Sequence, residues 1–132
     1  MTIIRQEDFI SSVAGALQYI SYYHPVDYIT ALAKAYEREE SPAARDAMAQ
    51  ILINSRMCAE GHRPICQDTG IVTAFLKVGM DVRFEAAPGE ERKDIQEMVD
   101  EGVRRAYLDP DNVLRASVLA DPAGMRKNTR DK

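Results

Sequence analysis

Between a helical pattern and an apolar, β-branched one, the chain carries Gly61-His62-Arg63-Pro64-Ile65-Cys66-Gln67-Asp68-Thr69-Gly70. A thiol, an amide, a carboxylate and a hydroxyl fall on consecutive residues, with a proline on one side and a glycine on the other. Such a run packs poorly and suits a polar site. Pro64 fixes its own φ and steers Arg63 toward extended geometry, while Gly70 permits a turn or a close backbone approach that a side chain would block. Loops held between rigid elements are where binding and catalytic side chains concentrate.

Cys66 is the sharpest of these residues. Its thiolate is a good ligand for an iron-sulfur cluster. A nucleophilic role needs a base, and the chain has two histidines, His24 and His62. His62 is close in sequence, but just past a helix end an imidazole commonly serves the last carbonyls. An inert loop cysteine is the third reading. Gln67, Asp68 and Thr69 can likewise satisfy a tight loop through side-chain to backbone hydrogen bonds, with no ligand involved. Spacing alone leaves these alternatives open.

Pro64-Ile65-Cys66-Gln67-Asp68-Thr69-Gly70 resembles the P-x-C-Q-D-T-G signature of the class I, iron-sulfur-dependent fumarate hydratases and the related tartrate dehydratases. Asn112-Val113-Leu114-Arg115 is similar to the N-x-L-R segment in which that family places a substrate-binding arginine. The resemblance runs along the whole chain and is greatest to the amino-terminal part of the long single-chain bacterial fumarases. It implies that Cys66 is one of three cysteines binding a four-iron, four-sulfur (4Fe-4S) cluster whose fourth iron keeps an open position. Gln67 and Asp68 would contact substrate beside that iron, with Asp68 also serving proton transfer. Arg115 would offer a planar cationic fork to a substrate carboxylate.

The implied function is a hydro-lyase that interconverts fumarate and (S)-malate in the tricarboxylic acid cycle, dimeric when full length. Residues 1–132 would form its amino-terminal domain, with the other two cluster cysteines in a continuation. The isolated 132-residue chain is then expected to hold no intact cluster and to be inactive. A tartrate dehydratase-like α chain is the second reading, less favoured by the lead-in and the Arg115 region. A non-catalytic helical interaction domain with a merely structural loop is the third.

The elements that must position this loop follow from periodicity. Ile10, Val13, Ala14, Leu17, Ile20 and Ser21 predict a helix over residues 7–22. Pro25 is suited to the first position of a second helix, with Ile29, Leu32, Ala33 and Tyr36 as its stripe. The tyrosines at 19, 22, 23, 28 and 36 are expected to pack between these helices with their hydroxyls near water.

Ser41-Pro42 reads as N-cap and first turn of a third helix, with Ala44, Met48, Ile51, Leu52, Ser55 and Cys58 on one face and Gly61 as its left-handed end. Cys58 therefore reads as a small buried hydrophobe. Residues 71–78 have strand character, with a short partner strand expected at 81–84. Ile95, Met98, Val99, Gly102, Val103 and Ala106 mark a fourth helix ending near Asp109-Pro110. Gly102 costs that helix about 1 kcal/mol against alanine, so something is expected to pack close there. Residues 113–119 read as another extended segment, and 125–132 as solvated. The expected class is α+β, a helix-rich amino-terminal half followed by a small, mostly antiparallel sheet and a further helix.

A chain of 132 residues with 45% hydrophobic and 29% charged content suits one soluble domain. It contains no apolar run of the roughly 20 residues that a membrane span requires. The first residues lack a basic segment followed by a long apolar one, so the cytoplasm is the expected location. A net charge of −4 argues against nucleic acid as partner, and means that a dicarboxylate would be held by a few local cations. Two cysteines are too few for a disulfide scaffold and are expected as reduced thiols.

Overall fold

The computed structural model describes residues 1–66, 70–109 and 111 of the chain. In chain order its elements are β1 (Thr2–Arg5), α1 (Gln6–Tyr22), α2 (Val26–Arg38), α3 (Pro42–Gly61), β2 (Val82–Glu85) and α4 (Ile95–Leu108). The class is the expected α+β, with a helix-rich amino-terminal half, a small sheet and a further helix, but the first strand of the sheet precedes the helices. No helix among the described residues is long and apolar enough to cross a membrane. Two compact units share the chain: one takes Met1–Gln18 with Asp68–Lys132, the other Tyr19–Gln67, and the division falls within α1.

In the first unit the sheet differs from expectation in both partner and direction. The strands are β1 and β2, paired parallel with Thr2 opposite Val82 and Arg5 opposite Glu85. Residues 71–78 form no strand, and Phe75 is 93% exposed. A run of strand-favouring residues becomes a strand only when a ladder partner is available. Here Thr2-Ile3-Ile4-Arg5 takes that place beside β2. The Thr2 N–H extends the pairing by donating to the Asp81 carbonyl at 2.9 Å. Phe84 of β2 meets Phe9 of α1 edge to face, their centroids 5.2 Å apart.

The core of this unit joins α1 to α4. Ile10 and Leu17 from α1 and Met98, Val99, Ala106 and Tyr107 from α4 are buried. Gly102 is a point of close approach, as its cost to the helix predicts. A Cβ there would stand 2.7 Å from Val13 Cβ and Cγ1 and 2.9 Å from the Ile10 carbonyl oxygen. The side chain of Gln6, 3% exposed, has both ends satisfied. Its amide donates to Glu90 at 3.2 Å and to the Glu91 carbonyl at 3.0 Å, and its oxygen accepts the Lys93 N–H at 3.2 Å.

Helix α4 opens on a capping box, in which Asp94 accepts the Glu97 N–H and Glu97 accepts the Asp94 N–H. Its last turn is tied to α1 by Arg105, whose guanidinium bridges Glu7 and Glu101. The helix stops at Asp109, which is extended as befits a residue before proline.

In the second unit α2 and α3 pack on each other, joined through Glu39, Glu40 and Ser41. Pro25 stands one position earlier than expected, as N-cap of α2 with ψ 148°. The α2 stripe of Ile29, Leu32, Ala33 and Tyr36 is half-buried, and no α2 residue is fully so. Ser41 caps α3 as predicted, accepting the Ala44 N–H at 3.5 Å with Pro42 in the first turn. Cys58 and Ser55 are the buried residues of α3.

Candidate functional site

The candidate loop leaves α3 through His62. Gly61 remains helical, and His62 itself takes the left-handed conformation, φ 47° and ψ 51°. That corrects the expectation of a glycine there. A side chain in this region costs roughly 1–2 kcal/mol, so the position must be held by its contacts. The His62 and Arg63 N–H groups both donate to the Cys58 carbonyl, closing the helix end. The imidazole does not serve the last carbonyls. It stacks on Tyr22, with centroids 5.6 Å apart and planes within 8°, and its Nε2 shares a 2.8 Å hydrogen bond with the Tyr23 hydroxyl. Burial, helped by the neighbouring Tyr23, raises the Tyr22 hydroxyl above the usual phenol range.

Two consecutive peptide units beyond this turn are tied down. In the unit between Pro64 and Ile65, the carbonyl accepts from the Cys58 thiol at 3.5 Å, and the N–H donates to the Ser21 carbonyl at 2.9 Å. In the unit between Ile65 and Cys66, the carbonyl accepts from Asn54 Nδ2 at 3.0 Å. Asn54 and Cys58 lie one turn apart on α3 and therefore share a face. The same thiol also lies 3.7 Å from Asn54 Oδ1.

Cys66 comes next, exposed and in no disulfide, whereas Cys58 is buried. The two thiols thus divide as the sequence predicts. Gly70 has φ +56°, the freedom anticipated for it. Gln67, Asp68 and Arg115 lie outside the described residues, so of the predicted site residues the described structure places Cys66. Among the described residues no group of three or more His, Cys, Asp or Glu is arranged to hold a metal ion. An exposed thiol on a tethered loop is suited to donate one soft ligand to iron. Cys58 is not, because its sulfur is enclosed and its proton is directed at protein oxygens.

A second histidine contact lies in the same unit. His24 stacks on Tyr28 at 4.5 Å, and its Nδ1 is 3.0 Å from the buried Ser55 hydroxyl. With the serine enclosed, this pair serves packing. Sequence reasoning missed Asn54 and the tyrosine contacts of His62. The signal available was the four-residue spacing of Asn54 and Cys58 on a helix that leads into the motif.

The sequence is similar to a protein of Methanocaldococcus jannaschii whose name proposes it as an L(+)-tartrate dehydratase subunit alpha. The two are 34% identical over 84 residues, a stretch that covers 64% of this chain and 28% of that relative. The family model for fumarate hydratase (Fumerase) matches residues 10–132, a span that includes the tethered loop and its exposed thiol. The chain belongs to the fumarate hydratase (Fumerase) family.

Proposed function

We propose that the chain is the amino-terminal α+β domain of a hydro-lyase that adds water across the double bond of fumarate to give (S)-malate, and reverses that step. The observation that carries this reading is the exposed Cys66, on a loop tied to α1 and α3 and followed in sequence by Gln67 and Asp68. The donor chemistry fits an iron-sulfur cluster to the extent of one thiolate. When bound, such a cluster would supply a Lewis acid for the water or hydroxyl.

The chain's own residues have separate tasks. Cys66 would hold one iron of the cluster. Gln67 orients the substrate by hydrogen bonding. Asp68 moves the proton at the carbon next to the one that gains or loses hydroxyl. Arg115 pairs with a substrate carboxylate through its planar fork. The remaining ligands and cations come from the rest of the enzyme, which we take to be a cytoplasmic homodimer acting on a small dicarboxylate, with no nucleic acid or membrane partner.

The full-length enzyme carrying Cys66→Ser is expected to lose most of its iron and its malate turnover while keeping its fold. Retained iron would refute the ligand assignment. The named relative favours a second reading, L(+)-tartrate as substrate. Assaying the full-length enzyme with malate and with L(+)-tartrate separates the two, and a higher kcat/KM on tartrate would replace fumarate in the proposal.

A further inference from the structure

We propose that Asn54 is a positioning residue for the Cys66 thiol, with Cys58 as its support. The proposal rests on the reading of Cys66 as a cluster ligand and goes beyond it by naming what aims the ligand. A thiolate on a loose loop would have to be ordered at the moment it binds metal. A loop already fixed avoids that entropy, and supporting hydrogen bonds around a metal ligand tune both orientation and affinity.

The carbonyl that Asn54 holds belongs to the same planar unit as the Cys66 N–H, so the bond sets the plane from which the Cys66 side chain departs. The preceding plane is held at both ends, by Cys58 and by the Ser21 carbonyl. Pro64 restricts the φ before that. Cys58 has one S–H proton for two acceptors, the Pro64 carbonyl and Asn54 Oδ1. Its contact with Oδ1 favours the amide orientation in which Nδ2 faces Ile65. Asn54 is itself exposed, so its loss is expected to cost the fold little and the loop much.

The test uses Asn54→Ala, Asn54→Asp and Asn54→Gln in the full-length enzyme. Alanine removes the donor, aspartate replaces it with an acceptor, and glutamine restores it on a longer stem. The Ile65 N–H is held by the Ser21 carbonyl, in the unit before the one Asn54 holds. With metal removed, amide exchange at Ile65 is expected to rise about 3- to 10-fold in the alanine and aspartate variants, because losing one loop hydrogen bond lets the loop open more often. The mid-helix amides of α3 and the melting temperature should be unchanged, and glutamine should return the rate toward wild type. In the iron-loaded enzyme, iron removal by a chelator should speed up in the same order. Unchanged exchange at Ile65, or an increase spread along α3, would overturn the proposal. So would unchanged chelation in an enzyme whose Cys66→Ser variant does lose iron. Iron retained by Cys66→Ser would instead sink the ligand reading, and the exchange result would still judge the role of Asn54.

Discussion

His62 holds a left-handed backbone that a histidine does not favour, and it does so with a ring clasped by Tyr22 and Tyr23. The two effects can be separated by substitution. His62→Ala keeps the backbone cost and loses the ring contacts, so it should be the least stable form, by about 1–2 kcal/mol against wild type. His62→Gly loses the same contacts but relaxes the backbone, and should recover about 1 kcal/mol relative to alanine. Urea unfolding midpoints would show the order wild type, Gly, Ala. Equal midpoints for the two variants would mean that the turn carries no strain. At this scale the two thiols were legible in the sequence, because Cys58 continues an apolar stripe while Cys66 sits among polar residues between a proline and a glycine. The role of His62 was not, because the Tyr23 hydroxyl that binds it is 39 residues away.

Helix α4 shows how an element is fixed by one close approach and one ionic tie. Gly102→Ala gains about 1 kcal/mol of helix propensity. However, the new methyl meets a stiff β-branched side chain and a backbone oxygen at under 3 Å, and such overpacking costs about 1–3 kcal/mol. A net loss of up to 2 kcal/mol in chemical denaturation is expected, and a gain would mean that α1 and α4 can separate freely. The ionic tie sets an acid limit. Hydrogen bonding from Arg105 holds the Glu7 carboxyl below its usual range. For Glu101, burial pushes upward, but hydrogen bonds from Arg105 and Arg104 outweigh it and the net shift is downward.

Both carboxyls therefore contribute stability that is complete above the ordinary glutamate value and is lost as pH falls through their lowered values. Arg105→Met should remove the Glu7 tie and part of the Glu101 contribution, the rest staying with Arg104, and move the acid unfolding midpoint to higher pH. The difference from wild type should shrink in high salt, since these groups are part-exposed. An unchanged acid midpoint would show the tie to be idle. The helices at this scale were readable from their stripes, α3 also from Ser41-Pro42, and Gly102 from its cost, while the ends at Pro25 and Gly61 were each placed one residue off. The sheet was not, because hydrophobic alternation reports which residues suit a strand and says nothing of their partner. The partner here is the first few residues of the chain, some 80 positions away in sequence and parallel.

For the molecule as a whole, the decisive quantity is the number of sulfur donors that iron can reach. The chain has two cysteines, of which Cys66 is exposed and Cys58 is buried. Cluster assembly by thiolates needs more donors than one, and ligation by Cys58 would require breaking the contacts that tether the loop carrying Cys66. Anaerobic addition of iron and sulfide to the 132-residue chain alone is therefore expected to give no stoichiometric cluster absorbance and no malate turnover. Cys58→Ala should leave that result unchanged, which separates a buried structural thiol from a hidden ligand. The same treatment of the full-length enzyme should yield both absorbance and turnover, and Cys66→Ser should abolish both. If the 132-residue chain assembles a stoichiometric cluster, Cys58 or a donor other than cysteine has entered the set, and the division of labour between the two thiols has to be abandoned.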